Sequence, residues 1–152
     1  MSHLTPPVLS NSTPAETGPA KPVDVFAAER ETAERLIAGR ARIEKSLMRA
    51  ADAGKLPLGE AESALQRLTF STDLADLANR QLVIEAIIED EAAKTSLFQS
   101  VDKVLEDPDA VLASNTSSIP IMKLAMVTGR PGNVIGIHFF NPVPVLQLVE
   151  LV

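Results

Sequence analysis

A chain of 152 residues with 45% hydrophobic and 22% charged positions holds enough apolar mass for one globular core and leaves no room for a second large domain. Fourteen basic against twenty acidic side chains give a formal charge of −6, which supplies no positive field to attract nucleic acid or an anionic membrane surface. There is no cysteine, and the only histidines are His3 and His138, which excludes disulfides, thiolate zinc sites, thiol nucleophiles and multi-histidine centres; no metal site is expected.

Residues 1–22 carry five of the eleven prolines and almost nothing to bury, which predicts a disordered tail rich in Pro, Ser and Thr. They lack the basic start and apolar run of a signal peptide, and no stretch of the chain approaches the roughly 18 uninterrupted apolar residues of a membrane span. A cytoplasmic protein is expected. Val23 to Phe26 predicts a short strand. Leu36, Ile43, Leu47 and Ala50 then fall on one stripe of a long polar helix, with Gly54 as its C-terminal stop. Leu58, Ala61, Leu65 and Leu68 share a face of a second helix, so the two form a hairpin around Pro57.

Strand and helix signals alternate from there. Leu68 to Thr72 reads as strand, Asp73 as an N-cap, and Leu82 to Ile87 as a buried strand. A helix follows from about Glu89 to Glu106, with Leu97, Val101, Val104 and Leu105 on one face and Asp107-Pro108 ending it. Ala110 to Ser114 is a short apolar strand, Ser118 with Pro120 opens another helix, and Gly129 closes it. Val134 to Phe140 and Leu146 to Val152 are the last two strands. This alternation predicts an α/β fold, an incomplete doubly wound parallel sheet with a helical hairpin inserted. In that class ligands sit where loops leave the carboxyl ends of the strands.

His138 lies in the most apolar strand, where a lone histidine is more often a hydrogen-bonded core residue than a reactive one. If Asn141 to Gln147 turns the chain into an antiparallel pair, however, Glu150 stands opposite His138 with Cβ atoms about 5 Å apart. An imidazole held by a carboxylate is a general acid or base for near-neutral pH. A structural ion pair at a sheet edge is an equal alternative on pattern alone. Within Ser114-Asn115-Thr116-Ser117-Ser118, capping of the next helix by Ser118 competes with a reading in which Asn115 and Ser117 are hydrogen-bond donors to a ligand.

Ala113 to Ser118 (ASNTSS), Gly136 to Pro144 (GIHFFNPVP) and Leu148 to Val152 (LVELV), in this order and spacing, closely resemble the 3-hydroxyacyl-CoA dehydrogenase family, and within it the bacterial 3-hydroxybutyryl-CoA dehydrogenases. The likeness runs from about Ile37 to Val152 and includes Ala38 to Leu47 (AGRARIEKSL) and Gln81 to Ala86 (QLVIEA). The resemblance implies a Rossmann-type NAD-binding domain over 23–152 that oxidises short-chain 3-hydroxyacyl-CoA such as 3-hydroxybutyryl-CoA, in fatty acid or butanoate metabolism. It implies that His138 takes the proton of the 3-hydroxyl, that Glu150 orients His138, and that Ser117 bonds the reacting oxygen. Asn115 would contact the nicotinamide side of NAD, and Glu89 and Lys94 match positions lining the cofactor. The plain alternative for Glu89 and Lys94 is an exposed pair on a helix's first turns. Arg42, Lys45 and Arg49, at i, i+3 and i+7 on the first helix, fall in the region relatives use near the acyl-CoA adenosine phosphates; a solvated face is the alternative.

The sequence also departs from the family. Its seven glycines contain no G-x-G-x-x-G, the loop whose backbone N–H groups approach the pyrophosphate, and Gly129 with Gly132 precedes a strand instead of following one. The acidic residue expected after the second strand is missing, since Ala27 follows Phe26. Without the first strand of the fold, strands 23–26 and 68–72 are expected to lose their ladder to the rest, leaving a split sheet with an open apolar edge. The helical domain that in the family completes the pocket and forms the homodimer would lie beyond Val152. The chain by itself is therefore expected to be a poor catalyst. The alternative function is a non-catalytic remnant or interaction module derived from such a dehydrogenase.

Overall fold

A computed structural model describes residues 23–26, 32–143, 145, 146 and 148–152, so the tail expected at 1–22 lies outside the described residues. The elements are β1 (Val23–Phe26), α1 (Thr32–Asp52), α2 (Leu58–Gln66), β2 (Leu68–Ser71), β3 (Leu82–Glu85), α3 (Glu91–Val104), β4 (Val111–Ser114), α4 (Ile121–Ala125), β5 (Val134–Phe139) and β6 (Val149–Leu151). Single 3-10 turns occupy Leu74–Leu77, capped by the Asp73 carboxylate, and Pro131–Asn133. The class is α/β with mainly parallel pairing, as the alternating pattern predicts.

β1 and β2 form a two-stranded parallel sheet in the register Val23 to Leu68 through Phe26 to Ser71. The other four strands form a separate sheet in the order β3-β4-β5-β6, parallel except for β6. The expected split is therefore present. Between β1 and β2 runs the helical hairpin. Gly54 ends α1 at φ 67°, with its N–H on the Ala51 carbonyl and the Lys55 N–H on the Ala50 carbonyl, the paired closure that a left-handed residue makes possible. α2 stops at Gln66, two residues short of the expected Leu68, because Leu68 is already pairing in β2.

β3 corrects the expectation of a buried strand. Leu82 and Ile84 are 49% and 43% exposed, while Val83 packs on the core and Glu85 is buried. β3 is the outer strand of its sheet, and among the described residues no strand pairs with its free edge, so only one of its two faces is covered.

The core lies between this covered face and α3. Phe98, Val101 and Leu105 pack against Leu112 of β4, Leu124 and Ala125 of α4, Leu77 and Val134, with Leu97 and Val104 half-buried at the margin. α3 starts at Glu91 because Asp90, not Glu89, is its N-cap: the Asp90 carboxylate accepts from the Ala93 N–H at 2.8 Å. Its other end is closed from outside the helix. The Arg130 guanidinium donates to the carbonyls of Asp102, Leu105 and Asp107 and to the Asp102 carboxylate, satisfying acceptors that the helix end leaves open. Burial pushes the Asp102 carboxyl up, but the Gly129 N–H and the Arg130 charge outweigh it and hold it below the usual carboxylate range. This clamp also explains why α4 ends at Ala125 and not at Gly129. The Gly129 N–H is committed to Asp102 at 2.7 Å, so the segment from Thr128 to Arg130 serves α3 instead of extending α4.

Candidate functional site

The carboxyl ends of three parallel strands converge on one side of the sheet, where the fold class places ligands. β3 ends at Glu85, β4 runs into the loop Asn115–Ser118, and β5 ends with His138 and Phe139. A cleft of about 200 Å³ opens there, lined by Thr116 to Ile121, Gly136, His138, Glu150 and Val152. Gly136 keeps it open and lets β6 close in. A Cβ at that position would lie 3.1 Å from Ile121 and 3.2 Å from Val152.

His138 and Glu150 are direct partners in the antiparallel pairing of β5 and β6, as the turn arithmetic predicts. Imidazole Nδ1 is 3.4 Å from a Glu150 carboxylate oxygen. The His138 side chain is 25% exposed and that of Glu150 56%, so water reaches the pair and the imidazole opens onto the cleft. The Phe140 ring, its centroid 4.7 Å away and tilted by 49°, supports the imidazole from the side.

Asn115 is tied in at both ends. Its N–H donates to the Glu85 carbonyl at 2.8 Å, and its side-chain oxygen accepts from the Phe139 N–H at 2.9 Å. The carboxamide therefore locks the β4 loop to the end of β5, and only its NH2 remains to donate elsewhere. Ser117 is exposed on the cleft, held there by its backbone N–H.

Glu89 holds that loop in place. One carboxylate oxygen accepts from the Thr116 hydroxyl, the Ser117 and Ser118 N–H groups at 3.1 Å each, and the Ser118 hydroxyl at 2.9 Å. These donors, the Thr116 hydroxyl foremost, lower its pKa from 4.5 to about 2 against an opposing effect of burial. Ser118 is thus not the cap expected at this helix start. Thr116 accepts from the Ile119 N–H at 3.0 Å, and Ser118 is itself a donor to Glu89. Because the folded-state pKa is depressed, the Glu89 clamp contributes fully above pH 4.5 and is lost as pH falls toward about 2. The amide resonances of Ser117 and Ser118 are accordingly expected to stay fixed from pH 7 to pH 5 and to move only in more acid solution. A midpoint near the ordinary 4.5 would show that the loop donors do not hold the carboxylate.

Lys94 corrects the alternative of an exposed helical pair: its side chain has no solvent exposure. The ammonium lies 2.6 Å from a Glu85 oxygen and 3.5 Å from the Glu89 oxygen that the loop does not use. Glu85 in turn accepts from the Ile87 N–H and the Ser114 hydroxyl, each at 2.6 Å. Glu85 and Ser114 are register partners on adjacent strands. The sequence reading passed over both. The signal was available, since period-two alternation puts Val83 and Glu85 on the covered face of an otherwise apolar strand.

Arg42, Lys45 and Arg49 occupy the exposed face of α1 and line no part of the cleft. Among the described residues no group of three acidic, histidine or cysteine side chains could hold a metal ion, and no helix is long and apolar enough to cross a membrane.

Residues 18–152 match the family profile described as "3-hydroxyacyl-CoA dehydrogenase, NAD binding domain". A 3-hydroxybutyryl-CoA dehydrogenase of Mycobacterium tuberculosis is 65% identical over 123 residues, covering 80% of this chain and 43% of the relative. A probable 3-hydroxybutyryl-CoA dehydrogenase of Bacillus subtilis is 47% identical over 115 residues, covering 76% of this chain and 40% of the relative. Among solved structures, M. tuberculosis FadB2 superposes with a TM-score of 0.79 at 59% identity, over 84% of this chain and 44% of that one. The chain thus spans less than half the length of each of these relatives.

Proposed function

From the premise that this chain belongs to the 3-hydroxyacyl-CoA dehydrogenase family, in its NAD-binding domain, we propose that it serves the NAD-dependent oxidation of a short-chain 3-hydroxyacyl-CoA, such as 3-hydroxybutyryl-CoA, to the 3-oxoacyl-CoA. The observation that carries this reading is the His138–Glu150 pair, which lines one cleft together with Ser117. His138 removes the proton of the 3-hydroxyl through the imidazole nitrogen not directed at Glu150. Glu150 orients the ring and offsets the positive charge that the proton brings. Ser117 donates to the oxygen as it becomes a carbonyl. A bound NAD would supply the acceptor for the hydride leaving C3.

The cofactor fits this chain in part. Asn115, with its oxygen spent on Phe139, offers its NH2 to the nicotinamide carboxamide, and the Glu89 oxygen left open by the loop is an acceptor for a ribose hydroxyl. Lys94, fully buried, acts toward the cofactor through Glu89. Arg42, Lys45 and Arg49 supply positive charge for acyl-CoA phosphates. For the pyrophosphate, by contrast, the described residues hold no glycine-rich loop after a strand, and the one glycine at positive φ is Gly54 at the end of α1. That mismatch, with the split sheet, favours the second reading, an interaction module derived from such a dehydrogenase.

Titration of the isotopically labelled chain with acetoacetyl-CoA and NAD separates the two. The dehydrogenase reading expects saturable resonance shifts at Asn115, Ser117 and His138. Saturating ligand that leaves all three unmoved overturns it in favour of the module.

A further inference from the structure

Two buried groups at the carboxyl end of β3 have no part in proton transfer. Glu85 is 5% exposed and Lys94 fully buried; Glu85 is bonded to Ser114 at the end of β4, and Lys94 faces Glu89, which holds the loop that carries Ser117. Together with Glu89 they make a set of two carboxylates and one ammonium, with one negative charge left over. The distances decide where that charge resides. Lys94 is drawn to Glu85 at 2.6 Å and stands off at 3.5 Å from Glu89. Glu85 has spent both oxygens inward, on Lys94, Ser114 and the Ile87 N–H. Glu89 has spent one on the loop and keeps the other, on a side chain 38% exposed, against Lys94 alone.

We propose that Glu85 is a positioning residue for the cofactor side of the site: by holding the Lys94 ammonium it leaves the outer oxygen of Glu89 free to accept from a ligand hydroxyl. This rests on the reading of Glu89 as a cofactor contact. Glu85 touches neither ligand nor reacting atoms, and acts through Lys94. Taking away its charge while keeping its shape releases the ammonium toward Glu89, its only other carboxylate partner in the described structure. The acceptor is then occupied from within the protein.

The test uses Glu85→Gln and the double variant Glu85→Gln/Lys94→Met. Crystal structures of the chain at neutral pH read the local step directly. In Glu85→Gln the ammonium is expected within about 3 Å of Glu89, a charge-assisted contact. An ammonium still placed on residue 85, or turned away from Glu89, overturns the proposal. NADH fluorescence titration reads the consequence. Glu85→Gln should weaken binding about tenfold, the scale of one hydrogen bond to a charged group. Adding Lys94→Met should recover part of that loss, because the competing ammonium is gone. A purely structural role for Glu85 predicts instead that the second substitution deepens the defect, and that result overturns the proposal. If the parent chain binds no NADH, the cofactor reading fails, and the crystal structures still decide where Lys94 goes.

Discussion

Lys94→Met is expected to destabilise the fold by roughly 3–5 kcal/mol, a large share of the 5–15 kcal/mol that typically holds a domain together. The side chain lost is fully buried, and the partner it leaves behind, Glu85, has 3% of its side chain exposed. Ser114 and the Ile87 N–H would still donate to that carboxylate, but no counter-charge would remain in direct contact with it. An uncompensated buried charge is far costlier than the absence of the pair. The companion Glu85→Gln/Lys94→Met should therefore recover most of the loss, because the amide still bonds Ser114 and the Ile87 N–H with no charge to bury. Urea denaturation read by circular dichroism measures both. A single-variant loss under about 1 kcal/mol would show that water reaches Glu85 and that the buried pair is not a pillar of this sheet end.

In a weakly active parent chain, His138→Ala is expected to bring acetoacetyl-CoA reduction by NADH down to the uncatalysed background, a loss of at most the roughly 10²- to 10⁴-fold that a positioned acid or base supplies. The same substitution should barely alter the melting temperature. The imidazole is partly exposed, and it meets the Phe140 ring and the half-exposed Glu150 carboxylate. Glu150→Gln should be milder, roughly two- to fivefold. At 3.4 Å and 56% exposed, the carboxylate acts through water-screened attraction worth about 1 kcal/mol or less. Loss of NADH absorbance in the presence of the thioester follows each rate. A parent rate measurable above background that His138→Ala leaves within about twofold would assign the proton transfer to another group, and the cross-strand pair would then be structural.

Much of the site was legible because strand pairing converts sequence distance into spatial opposition. A turn centred on residue 144 places 138 against 150, and β5 and β6 pair in that register. The split sheet was legible through the family likeness, since in that fold's strand order the missing first strand lies between the second and the fourth and would have carried the ladder from one to the other. The loop was harder. Ser118 looks like a helix cap from its position before Pro120, yet α4 is capped at Pro120 without any side-chain bond, Thr116 accepts from the Ser118 and Ile119 N–H groups, and Glu89, 29 residues earlier than Ser118, collects the rest. Nothing local marks Glu89 as their acceptor, because the bonds cross from one strand's exit loop to another's. Lys94 likewise reads as a solvated residue on the first turns of a helix, and only the approach of β3 and β4 beneath α3 removes it from water.

The sequence by itself determined the order of strands and helices, the break in the sheet, the family likeness and the opposition of imidazole and carboxylate. All of these follow from periodicity, turn chemistry or motif, which depend on residues near one another along the chain. Tertiary structure alone decided which charges are buried, which face of β3 stays open, and which oxygen of Glu89 is left free. Those depend on how closely separate strands and helices approach, and desolvation and hydrogen-bond competition at that range have no counterpart in local spacing.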